Sequence, residues 1–171
     1  MVSKRHTPLQ LLARLVAWVE APAPPAVRTR ALLTDLLRAR FGDIAVRDSA
    51  VAALDALSDG ALAHERLSIR DQMRGAVQFP ARGWDATFAL PRVRVTGAAL
   101  SGDYVLELDG APEGLLRLQV VYLIRATGGR LRACKADDCG RLFVREGKRE
   151  FCSQRCQKRI YMRLQRAAGH Q

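Results

Sequence analysis

Cys134, Cys139, Cys152 and Cys156 are the only cysteines in a chain of 171 residues, and all four lie in its C-terminal quarter. Their pattern is C-x4-C, twelve residues, then C-x3-C. Thiolates are soft ligands, and two closely spaced pairs can supply the tetrahedral set that zinc takes in structural sites. The residues between them suit such a centre. Lys135-Ala136-Asp137-Asp138 spans a tight knuckle, and Gly140 relieves crowding where the backbone wraps the metal. Leu142-Phe143-Val144 then continues as a strand, Glu146-Gly147-Lys148 turns it, and Phe151 returns. Cys152 and Cys156, four apart, share one side of a helix beginning near residue 152, where the helix dipole favours thiolates. A knuckle, a hairpin and a helix carrying the second ligand pair make a treble-clef-like site for one Zn2+ ion. With four cysteines the coordination is closed, so the expected role of the metal is structural and not catalytic. Neither pair has the C-x-x-C spacing of a thioredoxin-type redox motif. In a reduced cytosol, clustered thiols point to a metal in preference to disulfides.

The helix expected from Cys152 onwards is also the most basic part of the chain. Cys152, Cys156, Ile160 and Leu164 form one stripe, expected to face the zinc and the hairpin. Arg155, Arg159 and Arg163 form a parallel stripe joined by Arg166, with Lys158 flanking it and Lys148 and Arg149 on the preceding hairpin. The chain holds 28 Lys and Arg against 17 Asp and Glu, a net charge of +11, and residues 130–171 hold 12 and 4 of these. No acidic residue follows Glu150, whereas a merely solvated helix interleaves Glu with its cations. A zinc tetrathiolate carries charge −2, which lowers the surplus in this segment only to about 6. Arginine in excess of lysine suits bidentate contacts to phosphate and guanine edges. Gln154, Gln157 and Gln165 offer amides to bases, and Tyr161 can pack or stack. The expected partner is therefore nucleic acid, DNA ahead of RNA, contacted by Lys148, Arg149, Arg155, Lys158, Arg159, Arg163 and Arg166. The alternatives are an RNA-binding or ribosome-associated module, a protein-interaction adaptor using the finger, and a solubilising arginine-rich tail.

The run Cys134-x4-Cys139-Gly140-Arg141-Leu142-Phe143, then Phe151-Cys152-Ser153, then Cys156-Gln157-Lys158-Arg159, resembles the CGNR-type zinc finger. The resemblance covers about residues 130–166. It implies that Cys134, Cys139, Cys152 and Cys156 are the zinc ligands. In bacteria that finger ends a mostly helical module called ABATE, whose members are regarded as stress-responsive transcriptional regulators with the finger as the DNA-binding part. Two features depart from the family. The Gly-Asn of its signature is Gln157-Lys158 here, with Arg159 retained, and the last cysteine pair stands one residue closer.

The elements that must position this segment are mostly helical. With 49% hydrophobic residues the chain can build a core, which excludes global disorder. Lys4 and Arg5 ahead of the apolar stretch Leu9–Val19 and the run Ala21-Pro22-Ala23 superficially suggest a signal peptide. Gln10 and Arg14 inside that stretch argue instead for an amphipathic helix, with Thr7 as N-cap, Pro8 in the first turn, and Leu9, Leu12, Val16 and Val19 on one face. After the stiff connector of residues 21–26, helical patterns cover Val27–Phe41 (Leu32, Leu33, Leu36 and Leu37 on one face, Gly42 as stop), Asp48–Leu57 and Ala61–Met73. Phe88–Leu90, Arg92–Thr96 and Tyr104–Leu108 alternate as short strands in a meander or hairpin, with a Ser101-Gly102-Asp103 turn. Pro112 opens a core helix that Gly128-Gly129 closes.

The expected class is α+β: a mostly helical region with a small antiparallel sheet over residues 1–129, for sensing or oligomerisation, and the four-cysteine zinc finger over 130–171. Homodimerisation and a small-molecule ligand of the first region are admitted, with no residue nominated for either. A membrane partner is not expected, and the expected location is cytoplasmic. His64-Glu65 is not followed by a second histidine at Ser68, so no zincin motif forms, and His6, His64 and His170 are scattered. No phosphate-binding glycine loop or G-x-S-x-G is present. Trp18 and Trp84 read as core anchors, and enzyme activity is not expected.

Overall fold

The computed structural model describes residues 7–22, 24–39, 44–78, 92–98 and 103–168. They form α1 (Pro8–Glu20), α2 (Ala26–Arg38), β1 (Ile44–Val46), α3 (Asp48–Asp55), α4 (Asp59–Gln78), β2 (Arg92–Ala98), β3 (Asp103–Asp109), α5 (Pro112–Ala126), β4 (Leu131–Ala133), β5 (Leu142–Val144) and α6 (Gln154–Ala168). The class is α+β and mostly helical, as expected. The 88–90 strand, Trp84, Gly42, His6 and His170 lie outside the described residues.

Each helix forms for a local reason. Thr7 caps α1 through a reciprocal pair: its hydroxyl accepts from the Gln10 backbone N–H at 3.3 Å, and the Gln10 amide oxygen accepts from Thr7 N–H at 2.9 Å. The buried face of α1 is wider than the 9-12-16-19 stripe, because Leu11, Leu15 and Trp18 are buried too. Trp18 is a core anchor whose indole N–H donates to the buried Thr29 hydroxyl at 3.0 Å. In α2 all four expected leucines are buried, but the helix ends at Arg38, before Phe41. α4 extends beyond 61–73 at both ends; at its start the Ser58 hydroxyl accepts from Ala61 N–H and brings Asp59 into the first turn. α5 ends at Gly128 and Gly129, with φ of +58° and +69°, a conformation glycine adopts without steric cost.

β2 and β3 pair antiparallel, with Arg92 opposite Asp109 and Ala98 opposite Asp103. The sheet is not purely antiparallel. β1, which alternation over three residues could not reveal, joins the far edge of β3 in parallel, giving the order β1-β3-β2. One apolar core unites α1 to α5 around Leu12, Leu15, Leu33, Leu36, Leu115 and Leu123. Leu131 of β4 and Leu142 of β5 belong to this same core. Packing therefore crosses the 129/130 boundary drawn from the sequence, and the β4–β5 hairpin is anchored in the helical body. Within that body a buried ion pair ties two helices: Arg117 of α5 donates two hydrogen bonds, each 3.0 Å, to Glu65 of α4, which is 1% exposed.

Candidate metal centre

β4 and β5 are antiparallel, with Ala133 opposite Leu142, and the hairpin continues outward as Cys134 N–H donates to Arg141 O at 2.8 Å. The knuckle of Cys134–Cys139 is thus the tip of this hairpin. This corrects the expected pairing of β5 with a returning strand at Phe151. The partner of β5 precedes the knuckle, because burying Leu131 and Leu142 together in the main core selects that register. Residues 149–151 instead cross the knuckle with one backbone bond, Lys135 N–H to Glu150 O at 3.2 Å. Inside the knuckle Cys139 N–H donates to Ala136 O at 2.9 Å, and Gly140 takes φ +56° as the chain leaves the turn.

The second ligand pair straddles the start of α6. The helix begins at Gln154, so Cys152 precedes it and only Cys156 lies within it, which corrects the expectation that both sit on the helix. Ser153 marks the start, its hydroxyl accepting from Cys156 N–H at 3.3 Å and its carbonyl from Gln157 N–H at 3.2 Å. Ile160 is half-buried against the cysteines, but Leu164 is 61% exposed. The stripe expected to face the zinc is therefore covered for little more than one turn, and every residue from Tyr161 to Ala168 is exposed.

The four sulfur atoms all lie within 4.8 Å of one another. Cys139–Cys152 and Cys152–Cys156 are 3.6 Å apart, and Cys139–Cys156 is 3.8 Å. Zinc–sulfur bonds of about 2.3 Å in a regular tetrahedron require sulfur–sulfur edges of about 3.8 Å. Four cysteines at those separations fit one structural Zn2+ ion, and they leave no ligand position for substrate. Two N–H donors face the sulfurs and offset their charge: Cys152 N–H lies 3.4 Å from Cys134 Sγ and Arg159 Nη2 3.7 Å from Cys156 Sγ. Without a metal, burial pushes the Cys152 thiol up to about 12 and Cys139 upward, whereas the Ser153 hydroxyl beside Cys156 brings it down to about 7.

Residues 130–168 match the family model of the CGNR zinc finger. The match covers the β4–β5 hairpin, the knuckle and α6, and the finger supplies the four cysteines of the metal centre. Among curated proteins, none matches the chain at a significant level. Among the described residues, no helix is long and apolar enough to cross a membrane.

The seven basic residues nominated from the sequence divide on the finger. Arg149 donates to the carbonyls of Phe151 (3.0 Å) and Cys152 (2.6 Å), holding the loop that presents Cys152. Arg159 and Arg163 both pair with Asp138 of the knuckle, at 2.8 and 3.2 Å. Lys148, Arg155, Lys158 and Arg166 are exposed, and among the described residues no carboxylate pairs with any of them. Sequence reasoning missed Asp138, Ser153 and Glu20. An acidic residue inside a basic finger and a serine ahead of a helix were visible signals for the first two. Glu20, whose carboxylate accepts from Leu142 N–H at 3.2 Å, carried none, because this partner lies more than a hundred residues away.

Proposed function

We propose that the protein binds nucleic acid through the outward face of α6, with duplex DNA as the partner and regulation of transcription as the purpose. One observation carries this reading: Arg155, Lys158 and Arg166 occupy an exposed helix face and have no carboxylate partner among the described residues. At 100° per residue these three positions and Met162 fall within an arc of about 80°, on the side away from Cys156 and Ile160. Gln154 and Gln165 border that arc. A free helix about 10–12 Å wide with its side chains suits the major groove of B-form DNA, about 12 Å across. The corresponding groove of A-form RNA is too narrow for it. The metal would serve structure alone, fixing the knuckle from which α6 departs. The helical body would act as an ABATE-like sensor or oligomerisation unit, and a bacterial cytoplasm, where thiols stay reduced, is the compartment that suits the finger.

The test is a fluorescence-anisotropy titration of a mixed-sequence duplex across a salt series. If Arg155, Lys158 and Arg166 each meet a phosphate, the triple change to Gln lowers the slope of log K against log salt by about 2.7, at roughly 0.9 per contact. Zinc-loaded protein whose duplex binding ignores both salt and the triple change would end the reading. Structured RNA outcompeting duplex DNA would move it to RNA. Tyr161 and Leu164, 54% and 61% exposed, favour a protein partner as the second reading. Nuclease-insensitive co-purification with one protein would favour that outcome.

A further inference from the structure

Asp138 sits in the knuckle between the first two ligands, and its two oxygens point to two successive turns of α6. Oδ1 lies 2.8 Å from Arg159 Nη2, and Oδ2 lies 3.2 Å from Arg163 Nη2. The same Arg159 nitrogen lies 3.7 Å from Cys156 Sγ. Carboxylate, guanidinium and thiolate thus form one chain from the knuckle to the first turns of the helix. Apolar packing gives α6 little other hold. Cys156 is its only buried residue, and every described residue beyond Ile160 is exposed. A rotation of the helix about its own axis by a single residue step of 100° would carry Arg155, Lys158 and Arg166 out of the outward arc.

We infer that Arg159 and Arg163 are positioning residues and not nucleic-acid contacts: with Asp138 they set the azimuth of α6 on the zinc knuckle and leave Arg155, Lys158 and Arg166 to meet the polyanion. Both arginines come from the basic set read from the sequence, and the structure separates them from it by giving them a carboxylate. The clamp couples metal to helix in both directions. Zinc holds the knuckle that carries Asp138, and Asp138 holds the helix that carries Cys156. Exposed ion pairs contribute little to global stability, so the effect belongs in metal retention and helix orientation.

Asp138 and Arg159 are each 38% exposed, so conservative changes there leave the core intact. The experiment compares Asp138→Asn, Arg159→Gln, their combination and Arg155→Gln in the full chain. Zinc affinity is read by chelator competition, and the salt slope is read on a mixed-sequence duplex. Asp138→Asn and Arg159→Gln each weaken zinc affinity about tenfold, the low end for an outer-shell partner of a metal ligand. The combination costs less than the sum of the two, since both remove the Asp138–Arg159 contact while each also loses one of its own, Arg163 for Asp138 and the Cys156 sulfur for Arg159. Arg159→Lys, which keeps a cation for Asp138, recovers part of the loss. Arg155→Gln lowers the salt slope by about 0.9 and leaves zinc affinity unchanged, whereas Arg159→Gln leaves the slope within about 0.3. Asp138→Asn loses duplex affinity at fixed salt, because the azimuth that presents Arg155, Lys158 and Arg166 is no longer held. A slope reduced by about 0.9 in Arg159→Gln with zinc affinity intact overturns the inference. The salt readout rests on the nucleic-acid reading and the zinc readout does not. If the wild type fails to bind duplex, that reading falls by itself, and unchanged zinc affinity in Asp138→Asn then overturns the clamp independently.

Discussion

Replacing Glu20 by Ala removes the carboxylate that joins the end of α1 to the finger hairpin. Its side chain is 9% exposed, one oxygen accepts from Leu142 N–H at 3.2 Å, and the other lies 3.7 Å from both Arg70 and Arg141. A buried N–H stripped of its acceptor costs about 1–3 kcal/mol. The two guanidinium groups, 32% and 59% exposed, add at most about 1 kcal/mol between them after solvent screening. The expected loss is about 2–3 kcal/mol, or roughly 4–12 °C in Tm for a chain of this size. Glu20→Gln keeps an amide oxygen for Leu142 N–H and loses only the charge, so it should cost about 1 kcal/mol or less. Urea unfolding followed by circular dichroism, with zinc saturating and an unchanged m-value, separates the two variants. An Ala variant within about 0.5 kcal/mol of wild type, the range of neutral surface substitutions, refutes the linkage. A Gln variant as damaged as the Ala variant refutes the assignment of the loss to the hydrogen bond.

Chelation should disorder the knuckle and α6 while the helical core survives, because only Cys134, Ala136 and Cys156 form the buried cluster at the metal. Far-UV dichroism should then lose the α6 contribution alone, and collapse of the whole helical signal would contradict this. Elemental analysis should find one zinc per chain, and Cys139→Ser should release it; zinc retained at full stoichiometry in that variant would exclude the four-sulfur centre. Glu65→Gln leaves Arg117 without its charge partner in a site where Glu65 is 1% exposed, and should cost about 3 kcal/mol by urea unfolding. A loss below about 1 kcal/mol would show that the pair is solvated. Zinc affinity should rise with pH through the neutral range, because the metal displaces protons from Cys152, pushed up to about 12, and from Cys139, also raised. One displaced proton corresponds to about tenfold per pH unit and two to about a hundredfold, so chelator competition giving a flat profile between about pH 6.5 and 8 would refute this.

Local signals were legible wherever the cause was local. The Thr7 cap, the leucine face of α2, the glycine stop after α5 and the knuckle closed by Gly140 each depend on a few adjacent residues, and each appears as expected. Departures cluster where a distant partner decides. The β1 strand exists because β3 offers it an edge, and α4 runs on to Gln78, well past Met73. The strand paired with β5 lies before the knuckle and not after it, because Leu131 and Leu142 share one core.

The order of residues alone places the metal centre: four thiols at two short spacings have few other uses, and turn residues between them leave little freedom in how they converge. It also places the excess positive charge beside that centre. Which cations stay free follows from how the knuckle packs beside α6. Arg155, Arg159 and Arg163 are equivalent along the chain, yet Asp138 reaches two of them across the knuckle and leaves the third to solvent. Pairing of charges depends on distances of a few ångströms between elements, and spacing along one helix does not contain that information.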